Sequence, residues 1–247
     1  MMRNRPAFAL TTAAFATLLA GCFEAVDSTE ISNDALYGNV ALVSRDGVST
    51  EVTATLSVGG PLGTDVELKN GDRLVASAQG QSVTLMHESE MFGGHRYVGS
   101  LPRGSENVAF SVDYLRGDTS SQAQGCGRTS AVGSFAIMAR PFELSPMMSQ
   151  ARLGNPVNVA WSNGGSGELS LSVRGACIHG GIVSVPDTGF AVLDRSIVAP
   201  ADPANPSACS VQVVARRCVA GQPSSGFGKG GAVSACQERS LSFRVAP

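Results

Sequence analysis

Apolar residues that return at every second position, in short runs cut by glycine and proline turns, most tightly limit what this chain can fold into. From 48 to 58, Val48, Val52, Ala54, Leu56 and Val58 fall on one side of an extended chain. Ser49, Glu51, Thr53, Thr55 and Ser57 fall on the other. Period two marks a half-buried strand. The same alternation recurs in Val108-Phe110-Val112-Tyr114, Val157-Val159-Trp161, Leu169-Leu171-Val173, Val211-Val213-Ala215 and Leu241-Phe243-Val245. Shorter runs at 73–78, 82–87, 96–101, 135–139, 182–185 and 190–192 read as further strands. Asn70-Gly71 and Asn163-Gly164-Gly165 mark turns, because Asn and Gly accept the positive φ that tight turns need. The chain has 29 glycines and 12 prolines, which punctuate strands better than helices. An all-β fold follows.

About seven strands at intervals of about ten residues, twice over, is a sandwich rhythm. A length of 247 residues suits two domains. The rhythm resembles two tandem immunoglobulin-like or fibronectin-like antiparallel β-sandwiches, over residues 37–140 and 141–247. Residues 141–152, with Pro146 and Met147-Met148, read as the junction. A weak echo between Asp72–Ser77 and Pro156–Ser162 fits a repeated module.

The N-terminus has another logic. Arg3 and Arg5 precede an apolar run from Phe8 to Leu19, too short for a permanent membrane helix. Residues 1–21 read as a signal peptide. Leu19-Ala20-Gly21-Cys22 resembles the bacterial lipobox at all four positions. The resemblance implies diacylglycerol on the Cys22 sulfur and a further acyl chain on its amino group, and more than one chain anchors stably. Phe23 follows, so no Asp resembles the inner-membrane retention signal; an outer-membrane destination in the cell envelope is expected. Residues 22–36 carry Glu24, Asp27, Glu30 and Asp34 without a sustained period, and read as an acylated tether. The net charge of −2 becomes more negative once Arg3 and Arg5 leave with the leader. No basic face for nucleic acid is expected.

Six cysteines are present. Beyond Cys22 stand Cys126, Cys177, Cys209, Cys218 and Cys236, and export permits disulfides. Cys209 and Cys218 bracket one strand and would lie roughly 30 Å apart, against the roughly 6 Å a disulfide spans. That excludes their pairing. In an immunoglobulin-like sheet the third and sixth strands are antiparallel neighbours, and the sixth and seventh form a hairpin. The resemblance therefore implies Cys177–Cys209 and Cys218–Cys236. Cys126, in the loop Gln124-Gly125-Cys126-Gly127, reads as a free thiol, with an intermolecular disulfide or a bond to the second domain as the alternatives.

Candidate chemistry is thin. Gly226-Phe227-Gly228-Lys229-Gly230-Gly231 matches G-x-G-x-x-G, but residues 232–246 continue as a strand. A dinucleotide site needs a helix there, so a Gly-rich hairpin loop is the reading. His87, Glu90 and His95 can meet across a hairpin without forming a known metal motif. His179 beside Cys177 has no ligand set. Gly164-Gly165-Ser166-Gly167-Glu168 has Glu where a nucleophile elbow needs glycine. Trp161 reads as core. No catalytic residue, metal or cofactor is assigned. The expected function is a lipid-anchored, non-enzymatic envelope module for binding, adhesion or assembly, held to the membrane through Cys22 and meeting an envelope protein or glycan. The alternatives are an envelope hydrolase with a loop-built site and a structural spacer.

Overall fold

The computed structural model describes residues 25–45, 47–89, 94–102, 108–117, 131–146 and 150–247. Its first ten strands are β1 (Val26–Asp27), β2 (Leu36–Ser44), β3 (Ser49–Val58), β4 (Thr64–Glu67), β5 (Arg73–Ala78), β6 (Gln81–Thr84), β7 (Met86–Ser89), β8 (His95–Pro102), β9 (Ala109–Leu115) and β10 (Ala131–Ile137). The rest are β11 (Leu144–Pro146), β12 (Gln150–Arg152), β13 (Val157–Trp161), β14 (Glu168–Gly175), β15 (Gly181–Pro186), β16 (Phe190–Leu193), β17 (Cys209–Ala220) and β18 (Gly231–Ala246). Among the described residues no helix is long and apolar enough to cross a membrane.

In the first module β2, β3, β8 and β7 face the sheet β10-β9-β5-β6. The alternation places Val52, Ala54, Leu56, Phe110, Val112 and Tyr114 between the layers, all buried. In the second module β11-β13-β16 faces β15-β14-β17-β18, over Val159, Trp161, Leu171, Val213, Phe243 and Val245. Both follow immunoglobulin-like strand order. The chain is all-β and built of immunoglobulin- or fibronectin-like sandwiches, as its rhythm predicts.

The modules are not beads on a string. β18 is 16 residues long and serves both. Its residues 231–237 pair in parallel with 38–44 of β2, while its far end takes β12 in parallel. The result is one continuous sheet whose path runs β1-β4-β3-β2-β18-β17-β14-β15. Odd-numbered residues of β18 face inward along its length. Val233 and Ala235 enter the first core, and Phe243 and Val245 the second. Gln237, 3% exposed, sits between them. The expected division at residue 140 assigns 141–247 to the second module, yet Phe227, Val233 and Ala235 are buried in the first core.

Three local expectations differ from the structure. Residues 22–36 are expected as a tether, yet from Val26 to Leu36 the chain is packed on the module. β1 pairs in parallel with β4, two short 3-10 turns follow, and Ile31 and Leu36 are buried. The cause is distant in sequence. Arg116 donates to the carbonyls of Ser28 and Ile31 and to Asn33 Oδ1, gathering the segment onto the module. Val48 lies in the turn before β3 and is 69% exposed rather than inward. In β10 the inward residues are Ala136 and the following Met138, so Phe135 and Ile137 face out. Asn70 and Gly71 do take positive φ, 51° and 84°, but their turn passes the chain between sheets rather than closing a hairpin.

Candidate functional site: a groove at the module junction

The junction is built by the loop between β17 and β18, and its glycines explain themselves there. A Cβ on Gly228 would stand 2.4 Å from the Asp34 backbone, and one on Gly231 2.3 Å from the Gly38 carbonyl oxygen. Without side chains the loop lies against the first module. Gly228 N–H donates to Asn33 O at 3.1 Å, Lys229 N–H to Leu36 O at 3.0 Å, and Gly38 N–H to Gly230 O at 3.2 Å. Phe227, 4% exposed, enters the first core over Gly38, where an added Cβ would meet its ring at 2.5 Å. The string singled out as G-x-G-x-x-G is therefore a docking element. Close backbone approach, not phosphate, is what its glycines permit.

On the other flank, Gln222 exchanges both backbone hydrogen bonds with Phe135, at 2.7 and 2.9 Å. This bridge draws β10 of the first module beside the end of β17. Between them lies an apolar groove of ≈ 420 Å³ lined by residues 135–140 and 219–222. Phe135, Ile137 and Val219 are each over 40% exposed on it. A second hollow of ≈ 240 Å³ continues past Ala139, Arg140 and Val219 toward Asp187 and Arg217.

The floor beyond the groove is held by a buried charge network. Arg217 Nε lies 2.7 Å from Asp187 Oδ2, an ion-pair contact without hydrogen-bond alignment. Its Nη2 donates to Asp187 Oδ1 at 2.8 Å and to Asn163 O at 3.0 Å, and Nη1 to Arg140 O at 3.0 Å. Trp161 Nε1 donates to the same Oδ1 at 2.7 Å, and the guanidinium stacks 4.7 Å over Phe142. Arg217→Lys keeps the charge but loses the planar fork and the stacking. We expect it to cost about 1–3 kcal/mol in denaturant unfolding; an unchanged midpoint would show that the fork is not needed.

A parallel device closes the first module. Arg116, whose side chain is 1% exposed, pairs with Asp72 at 2.9 Å and lies 4.7 Å over the Tyr114 ring. Tyr114 Oη donates to Asp72 at 2.7 Å and Gly117 N–H donates at 2.7 Å. Burial acts to raise the Asp72 carboxyl. The hydrogen bonds from Gly117, Tyr114, Ser28 and Arg116 outweigh it and hold the group below the usual carboxylate range. Burial, with the bond to Asp72, pushes the Tyr114 phenol far upward.

The cysteines pair Cys177–Cys209 and Cys218–Cys236. Register explains both. Gly175 stands opposite Val211, so two residues on Cys177 reaches Cys209 across 5.7 Å between Cα atoms. Cys218 stands directly opposite Cys236, 4.1 Å away. Trp161 is in the core, 5% exposed.

His87 Nε2 and His95 Nδ1 do meet, at 2.9 Å, on the β7–β8 hairpin. Among the described residues no three His, Cys, Asp or Glu side chains gather as a metal site. His179 is exposed, and Glu168 accepts from Ser184 at 2.8 Å rather than framing Ser166. Glu90, Cys22 and Cys126 lie outside the described residues.

Sequence reading missed the groove and both arginines. The arginines leave a legible signal. Arg116 falls in phase with Val108-Phe110-Val112-Tyr114, and Arg217 in phase with Val211-Val213-Ala215. Each is a charge on an inward face, which requires a buried partner.

No protein family model matches the chain, and no curated protein matches it. Among solved structures, the FN1–FN3 domains of chicken CNTN1 are similar at 12% identity and a TM-score of 0.31, covering 85% of this chain and 69% of that one.

Proposed function

We propose that this protein is a lipid-anchored cell-envelope module without catalytic function, exported through Leu19-Ala20-Gly21-Cys22 and held to the outer membrane by acyl chains on Cys22. Its role is to bind an apolar segment of an envelope protein. The observation that carries this reading is the groove at the junction, where Phe135, Ile137 and Val219 stay exposed beside the terminal strand of a sheet. Exposed apolar residues grouped in a concavity mark a partner site. An extended segment laid in the groove beyond the Phe135–Gln222 bridge would put its side chains against Ile137 and Val219. Among the described residues, those that line the groove include no grouped histidines and carboxylates of the kind a hydrolase would use, and a glycan site would draw on exposed rings in greater number.

The test is photo-crosslinking in cells. A crosslinking residue at Ile137 should capture a discrete envelope protein that the same residue at Ile182, 71% exposed on β15, does not. Identical products from the two positions would contradict the reading.

A further inference from the structure

We propose that the end of the first module bearing the Gly59–Gly63 turn lies on the membrane, with Leu62 inserted at the boundary between headgroups and acyl chains. The inference rests on the lipid-anchor reading above and adds an orientation to it.

Two independent observations converge. The first is the turn itself. Leu62 is 99% exposed, more than any other large apolar side chain among the described residues. It is not a loose tip. Ser57 Oγ donates to Gly60 O at 2.6 Å, and Gly63 N–H donates to Gly60 O at 3.0 Å. A Cβ on Gly63 would stand 1.8 Å from the Val58 carbonyl oxygen. The turn is thus folded tightly back on β3 and holds Pro61-Leu62 outward. A fixed apolar side chain in water gains nothing from the fold; laid in a lipid interface it is removed from water.

The second is the direction of the chain. β1 and β4 are parallel, with Val26 beside Val66 and Asp27 beside Glu67. Going backward along β4 leads to the Gly59–Gly63 turn. β1 begins at the same end of the module, and Cys22 precedes it in the sequence. Three residues separate Cys22 from Val26, a reach of at most about 14 Å over four Cα–Cα steps. The acyl chains therefore enter the bilayer close to this end, and packing of residues 26–36 leaves no long spacer to lift it away.

The same corner carries a cation. Gly59 N–H donates to Ala35 O and Lys229 N–H to Leu36 O, both at 3.0 Å, so the turn and the Lys229 loop flank one point. Lys229 is exposed and suits headgroup phosphates, although the exposed Asp34 stands beside it against Gly228. Apolar insertion beside a cation and a lipid anchor is the combination that peripheral attachment uses.

The test uses the full lipidated chain in vesicles of phosphatidylethanolamine and phosphatidylglycerol with brominated acyl chains. Trp161 is the sole native tryptophan and is buried, so it adds a constant background. Leu62→Trp should show blue-shifted emission that brominated lipid quenches. Val48→Trp, at the opposite end of β3 and about 33 Å away, should not be quenched beyond wild type. If the protein floats with vesicles and neither variant is quenched, the anchor stands and the insertion is overturned. If the protein does not float with vesicles, the anchor reading fails and the insertion with it.

Discussion

Phe227→Ala is expected to lower stability by about 3–5 kcal/mol, the usual cost of emptying a buried aromatic site, although residue 227 belongs by sequence to the second module. Phe227 is 4% exposed inside the first core and lies against Gly38. Removing its ring leaves a hole at the point where the β17–β18 loop enters. The loss should also reach the hydrogen bonds of Gly228 and Lys229 to residues 33 and 36, which the ring holds in place. Equilibrium denaturation measures the first effect. Gly38→Ala checks the geometry from the other side, since its Cβ would overlap the ring at 2.5 Å. Combined with Phe227→Ala it should cost much less than the sum of the two, because the two residues share one space. Additive costs would mean that the ring and Gly38 do not meet.

Asp72→Asn should be equally severe, about 3–5 kcal/mol, because it leaves Arg116 charged and buried without its counter-ion. The Asp72 side chain is 4% exposed, so water does little to screen the loss. The effect has a pH signature. The folded carboxyl ionises below its ordinary value of about 3.9, so its contribution is complete above that pH. It is lost as pH falls through the lowered native value. The stability gap between wild type and variant should therefore be constant near neutrality and shrink only in acid. A gap that changes between pH 6 and 8 would assign the effect to another group. The same substitution should loosen residues 28–33, since Arg116 holds both Asp72 and that segment.

The strands of both sandwiches are legible because period two is a local property. Val108 to Tyr114 and Val211 to Ala215 need no knowledge of their neighbours to be read as half-buried. The disulfide pairs are legible once immunoglobulin strand order is assumed, because register then places Cys177 by Cys209 and Cys218 by Cys236. What is not legible is what depends on contact at long sequence range. Residues 26–36 look like a spacer, since two 3-10 turns have no apolar period and the arginine that pins them comes more than eighty residues later. The glycines of 226–231 look like flexibility, and only the backbone of residues 33–38 shows that they are needed for approach. β18 reads as a single strand from 232 onward; nothing local says that its first half pairs with β2. The groove was hidden for the same reason, being made where β10 and β17 meet. Phe135 and Ile137 look like core until Ala136 and Met138 are seen to take the inward face.

The central claim is that the C-terminal hairpin joins the two sandwiches into one continuous sheet, and hydrogen–deuterium exchange tests it most directly. Backbone amides of 36–44 and 231–237 should exchange as slowly as those of 209–216 in the second module, and Phe227→Ala should speed the former while leaving the latter protected. Exchange of 231–237 at the rate of an open loop in the unsubstituted protein would contradict the shared sheet.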